Sequence, residues 1–178
     1  VPARAAAVPP FAVTADVMAV LERLWSAGYA AYLVGGGVRD ALLGLPVSDW
    51  DVATDARPER ILRLFPGSTY QNRFGTVLAR GLEITTFRRD HRYADHRRPD
   101  SVTFSDDINE DLARRDLTIN AIAWGRRSLE DEPQMVDPAD GQRDLEARLV
   151  RAVGDPAQRF EEDALRLFRT VRIAARLG

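Results

Sequence analysis

An α+β fold is predicted, in which a mixed β-sheet flanked by helices is followed by the opening helices of an all-helical segment. Three observations carry this expectation. Apolar spacing alternates along the 178 residues between the 3.6-residue period of helices and the short continuous or alternating runs of strands. Two strand-like runs joined by a glycine-containing turn demand antiparallel pairing, so the sheet is mixed. Beyond Pro156 only helical periodicity remains. The expected organisation is an arm over residues 1–13, a sheet domain over 14–154, and a helical segment over 155–178 that is cut short at the last residue.

Thr14 is a candidate cap for a helix through about Ala27, with Val17, Val20, Leu21 and Leu24 on one face and Gly28 as its stop. YAAYLV, from Tyr29, reads as a buried strand. After the glycines, VRDALLG reads as a short helix ended by Gly44-Leu45-Pro46. DWDVAT is a second strand, and Asp55 with Pro58 opens a helix through Phe65. GTVLAR and EITTF form a hairpin, with Gly81-Leu82 as its two-residue turn. Arg88 to Asp107 is polar and proline-bearing, which predicts a long loop. INEDLARRDLTINAIAW carries helical signals. MVDPADGQRDLEARLVRAVGD predicts a loop, a short helix and a strand, and a final helix is expected from about Gln158.

Composition removes several chemistries. All 25 basic side chains are arginine, so a lysine-bearing phosphate loop and Schiff-base catalysis are excluded. Without cysteine there are no disulfides, thiol nucleophiles or cysteine-ligated zinc. His91 and His96 are the only imidazoles, so a metal would be hard and oxygen-ligated. A formal charge of -2 argues against a uniformly basic nucleic-acid binder and leaves only local patches for such contact. No apolar run approaches the roughly 18 residues of a membrane span. VPARAAAVPP lacks the pattern of a signal peptide, so the expected location is cytoplasmic, with no membrane partner.

Alternate side chains of a strand share a face, which puts Asp49 and Asp51 together while Trp50 and Val52 point to the core. Such a pair repels itself unless a cation intervenes, and it suits two divalent ions about 4 Å apart in phosphoryl displacement. An isolated D-x-D is more often an exposed turn. Upstream, however, Gly35, Gly36 and Gly37 join a strand to a helix, where free N–H groups favour phosphate, and Arg39 follows one turn later. Asp40 stands where a dinucleotide fingerprint requires glycine, so that alternative fails.

These residues resemble a known family. GGGVRDALLG followed by SDWDVAT is similar to the nucleotide-binding signature of class II tRNA nucleotidyltransferases and bacterial poly(A) polymerases, within the DNA polymerase β-like nucleotidyltransferase superfamily. EITTFRRD, RRPDSVTF, DLARRDLTINA, VDPADGQRDL and RFEEDALRLFRTVRIAA continue the resemblance in family order, from Tyr29 to Leu177. It implies a nucleotidyltransferase head followed by the start of a helical neck. Asp49 and Asp51 would then be catalytic, holding two Mg2+ ions, or Mn2+ in their place. Gly35, Gly36 and Arg39 would hold the triphosphate. Glu83 is a candidate third catalytic carboxylate or else a solvated strand glutamate. Arg115, Asp116 and Asn120 would recognise ribose, and Asp163, Arg166 and Arg169 the base, through donors and acceptors that match cytosine or adenine. Leu117 and Ile173 stand where the family more often has phenylalanine.

The resemblance implies a template-independent enzyme that adds C, A or both from CTP and ATP to the 3' end of tRNA or another RNA and releases pyrophosphate. CCA, CC, A and poly(A) addition all stay open. A non-catalytic RNA- or nucleotide-binding module is a rival that the intact aspartate pair argues against. A small-molecule nucleotidyltransferase would have no use for DLARRDLTINA or EEDALR. The arginine-rich loop Arg88 to Pro99 would close over the nucleotide or guide an RNA end, or would be simply solvated. Oligomeric state is not readable from the residues.

Overall fold

The computed structural model describes residues 9–72, 74–91 and 99–178. Residues 1–8 of the expected arm, and residues 92–98 of the expected arginine-rich loop, lie outside them. Chain order begins with α1 (Ala15–Ser26), β1 (Ala31–Val34), α2 (Gly36–Leu42), β2 (Asp51–Thr54), α3 (Pro58–Leu64) and β3 (Thr69–Asn72). It continues with β4 (Thr76–Ala79), β5 (Leu82–Thr86), β6 (Arg88–His91), β7 (Ser101–Phe104) and α4 (Ile108–Ala113). A 3-10 turn (Thr118–Asn120), β8 (Ala123–Arg126), β9 (Gln134–Val136), α5 (Gly141–Glu146), α6 (Pro156–Glu162) and α7 (Leu165–Leu177) complete it.

Seven strands form one sheet in the order β3-β4-β5-β2-β1-β8-β9, and β6 pairs with β7 separately. Among the described residues only β2 and β5 run parallel, so the sheet is mixed as expected. One face carries Leu33, Val52, Val77 and Ile84 against the apolar side of α1, where Val17, Val20, Leu21, Leu24 and Trp25 are buried. Burying each of these large side chains stabilises the fold by about 1.5–3 kcal/mol before entropy is subtracted. Val34, Ala53 and Ala123, on the other face, pack against Ile108 and Leu112 of α4. Among the described residues no helix is long and apolar enough to cross a membrane.

Several expected elements differ. Thr14 occupies the N-cap position of α1, but its side chain makes no capping bond. The hairpin turn is Arg80-Gly81, one residue earlier than expected, with φ of 51° and 79°. Both central residues of a type I′ turn need positive φ, which leaves Leu82 free to pair with Ala79. The expected long loop contains β6 and β7, with Arg88 opposite Phe104 and His91 opposite Ser101. Charged side chains on both faces hide this hairpin from hydrophobic patterning.

INEDLARRDLTINAIAW is not one helical stretch. Asp116 Oδ1 accepts the N–H of Leu117 (2.8 Å), which diverts that donor from a helical carbonyl. Leu117 is extended and bridges to Ala152, and the apolar end of the segment becomes β8 on β1. That bridge is all that appears of the strand expected before Gly154. The final helix is two helices, separated at Asp163, whose φ of −147° and ψ of 104° are extended.

Candidate active site

The three glycines at the end of β1 have different physical reasons. Gly35 has φ 77° and ψ −142°, a conformation open to glycine and costly for other residues. Gly37 allows close approach, because a methyl there would lie 3.0 Å from the backbone oxygen of Asp49 and 3.0 Å from Cε3 of Trp50. Helix α2 is thereby seated directly on the segment that carries the acids. Gly36 is under no such constraint, since its nearest neighbour would be Arg39 Nη2 at 3.5 Å.

Register then fixes the carboxylates. Asp51 pairs with Val34, the residue before the glycine turn, and on its other side lies in parallel register with Glu83. Asp49 and Asp51 are exposed while Trp50 and Val52 are buried, the alternation expected of an extended chain, although Asp49 precedes the strand proper. Although the Asp51 side chain reaches solvent, the protein crowded around it strips part of its hydration and raises its pKa, the guanidinium of Arg115 pulls it back, and the charges of Glu83 and Asp49 raise it further. Asp51 therefore senses both other acids. Asp49 Oδ2 accepts the Ser48 hydroxyl at 2.8 Å. Among the described residues no three acids, histidines or cysteines are close enough together to hold an ion as they stand. The donor set is nonetheless hard oxygen, and the repulsion at Asp51 is of the kind that a divalent cation relieves.

Arg115 joins the acids to the turn. A methyl on Gly35 would lie 2.9 Å from Arg115 Nη1 and 3.6 Å from Asp51 Oδ2. Arg115 Nη2 donates to Asp111 Oδ2 at 3.3 Å, while its buried Nε has no hydrogen-bond partner among the described residues. A buried donor left open beside a glycine turn suits an anionic ligand.

A cleft of about 420 Å³ is lined by Gly35, Gly36, Arg39, Arg115, Asp116, Asn120, Arg169, Arg172, Ile173 and Arg176. A second, of about 280 Å³, shares Arg115, Asp116 and Arg169 and adds Arg88, Asp90, Pro99, Arg114, Asp163 and Arg166. The ion pair between Arg169 Nη1 and Asp116 Oδ2 (2.7 Å) stands where they meet. Asn120 Nδ2 donates to the other oxygen of Asp116 at 3.1 Å, so these two residues meet although no continuous helix joins them. Burial pushes the Asp116 carboxyl up, but its bonds with Arg169 and Asn120 outweigh this and hold it below the usual range.

Asp163 and Arg166 share the second cleft, yet not as partners on one helical face, because Asp163 lies in the break between α6 and α7. Its Oδ1 accepts the N–H of Leu165 (2.9 Å). Arg166 instead reaches back to Glu162 at 2.7 Å and to the carbonyl of Arg159 at 2.9 Å. Asp49, Asp51 and Glu83 line neither cleft, and Asp51 adjoins the first through Gly35 and Arg115. Sequence reasoning missed Asp40 and Arg176. The spacing of Arg166, Arg169, Arg172 and Arg176 along one side of a helix was the available signal for the second.

The family description of a poly(A) polymerase head domain matches residues 31–151. The chain belongs to the poly(A) polymerase head-domain family. It is 45% identical over 175 residues to a CCA-adding enzyme of Geobacillus thermodenitrificans, covering 96% of this chain and 41% of that protein. A crystal structure of the Bacillus stearothermophilus CCA-adding enzyme in complex with CTP superposes with a TM-score of 0.76 at 41% identity, over 89% of this chain and 38% of that one. The Thermotoga maritima CCA-adding enzyme complexed with tRNA gives a TM-score of 0.66 at 27% identity, over 90% and 38%. The chain thus spans about two fifths of the length of these relatives. The mixed sheet and its flanking helices are the head fold of this family.

Proposed function

We propose that this chain carries the catalytic head, over residues 14–154, and the first neck helices, over residues 155–178, of a tRNA nucleotidyltransferase. The 3'-hydroxyl of a tRNA attacks the α-phosphate of CTP or ATP, a phosphodiester forms, and pyrophosphate leaves. The observation that carries this reading is the adjacency of Asp51, Glu83, Arg115 and the Gly35 turn, which brings acids and a guanidinium together at one end of the central strands. The similar proteins are named CCA-adding enzymes, and two of the similar structures are complexes with CTP and with tRNA. Exposed Leu165, Phe168 and Val171 on α7 support the opening of a helical domain.

Asp49 and Asp51 would hold the ions, with Glu83 beside them. Mg2+, when bound, would lower the pKa of the attacking hydroxyl and neutralise charge on the phosphate oxygens. Gly35, Gly36 and Arg39 bind the triphosphate, and Arg115, whose Nη1 lies beside Gly35, reaches the same phosphates. Asp116, fixed by Arg169 and Asn120, accepts a ribose hydroxyl. Asp163 and Arg166 offer an acceptor and donors to the base edge.

The test is incorporation from each nucleoside triphosphate separately, on tRNA lacking CCA, on tRNA ending in CC, and on unstructured RNA. Addition restricted to the tRNAs supports CCA addition, whereas tailing of unstructured RNA supports poly(A) synthesis. Asp51→Asn should reduce incorporation at least about 100-fold with CTP still bound. Equal incorporation by this variant would overturn the reading.

A further inference from the structure

The first cleft contains a connection that none of the roles above uses. Asp40, on α2, is buried, and both of its oxygens are engaged. Oδ1 takes Nε and Nη2 of Arg39 at 2.8 and 2.7 Å, a fork that fixes the plane of the guanidinium. Oδ2 accepts Nη2 of Arg176 at 3.0 Å, from near the far end of α7 and 136 residues away in sequence. Arg39 Nη1 donates to Asn120 at 2.6 Å, so the guanidinium is anchored on two sides. Its side chain is only 6% exposed, whereas that of Arg176 is 54% exposed.

We infer that Asp40 is a positioning residue for Arg39, and that Arg176 acts through Asp40, so that the seating of α7 and the grip of the head on a triphosphate are coupled. The inference rests on Arg39 being a phosphate ligand. Asp40 does not touch the nucleotide; its negative charge selects one orientation of Arg39 and leaves the remaining N–H groups directed into the cleft with Gly35 and Gly36. Arg176 holds Asp40 from the helix that also carries Arg166 and Arg169. Freeing α7 removes one of the two contacts that hold the Asp40 carboxylate, and the guanidinium of Arg39 gains freedom that phosphate binding must then remove. Linkage requires the reverse as well: a bound triphosphate stabilises the seated helix by the same factor. The effect acts on phosphate, so CTP and ATP are weakened equally.

Calorimetric titration of the 178-residue chain and its variants with inorganic tripolyphosphate and magnesium, and with CTP and ATP, reads this directly. Arg176→Ala should weaken all three by about two- to fivefold, the range of a half-exposed ion pair, with a smaller effect at high salt. Arg176→Lys should restore binding to within about twofold, because the charge is kept. Asp40→Asn should cost about tenfold or more if it folds. Amide exchange in α7 should slow when tripolyphosphate binds the wild type, and slow less in Arg176→Ala. Tripolyphosphate affinity unchanged in Arg176→Ala, even with a lowered melting temperature, would reduce the ion pair to a structural clip and overturn the inference. A loss confined to CTP or to ATP would place Arg176 at the base and overturn it too. Failure of the wild type to bind any of the three ligands would instead strike at the nucleotide reading itself.

Discussion

Replacing Gly35 by alanine tests the glycine turn without touching an acid. At φ 77° and ψ −142° an L-residue is strained by about 1–3 kcal/mol. The added methyl would meet Arg115 Nη1 at 2.9 Å, but that atom ends a flexible side chain and can retreat, so the backbone carries the cost. For a chain of this length each kcal/mol lowers the melting temperature by about 2–4 °C, which predicts a fall on the order of 5 °C. Gly36→Ala is the control. Gly36 is helical, its nearest neighbour at 3.5 Å is in ordinary contact, and alanine favours helix, so its melting temperature should hold or rise slightly. Scanning calorimetry without nucleotide compares the two. A loss below about 1 °C for Gly35→Ala, or an equal loss for Gly36→Ala, would refute the reasoning.

Magnesium should stabilise the wild type at neutral pH, because partial desolvation and the neighbouring Glu83 and Asp49 disfavour the Asp51 carboxylate. At about ten times its dissociation constant the gain is about 1.4 kcal/mol, readable by thermal melting, and Asp51→Asn should abolish most of it. Asp116 and Asp111 have carboxyls held below the usual range, so in acid the unfolded chain takes up protons first. Their contribution is therefore complete above about pH 4 and is lost as pH falls through the lower folded values, which urea midpoints measured down to about pH 2 would show; Asp116→Asn should flatten the decline. Gly125→Ala should prevent soluble expression, since a methyl there would overlap the carbonyl of Ala31 and the backbone of Tyr32 in the neighbouring strand. A soluble Gly125→Ala protein with an unchanged melting temperature would contradict that packing.

The unit from β1 through α2 to β2 was legible in the residues because its determinants are local. Three glycines, an alternating acidic pair and buried Trp50 and Val52 declare their backbone within about twenty positions, and β-pairing then places Asp51 beside the turn. What escaped depends on partners distant in sequence. β8 looks helical in isolation, and only antiparallel pairing with β1 makes Ala123 to Arg126 a strand. The β6–β7 hairpin has no apolar stripe to announce it: β6 carries an ion pair within itself, Arg88 with Asp90, and another to α4, Arg89 with Glu110, while the backbone ladder pairs it with β7. Asp163 and Arg166 have good helical spacing, yet the backbone breaks between them because the Asp163 carboxylate takes the N–H of Leu165. Asp40 and Arg176 are linked across nearly the whole chain, beyond the reach of any local pattern.

The break at Asp163 makes residue count a form of specification. Each residue turns a helix by about 100°, so one insertion between Asp163 and Arg166 would rotate everything downstream by that angle. Places now held by Arg166, Arg169 and Arg172 would pass to Leu165, Phe168 and Val171, three side chains that currently look outward. Without altering a single acid or glycine, such a lengthening would trade a cationic wall for a greasy one, and the pocket would lose its taste for anything charged.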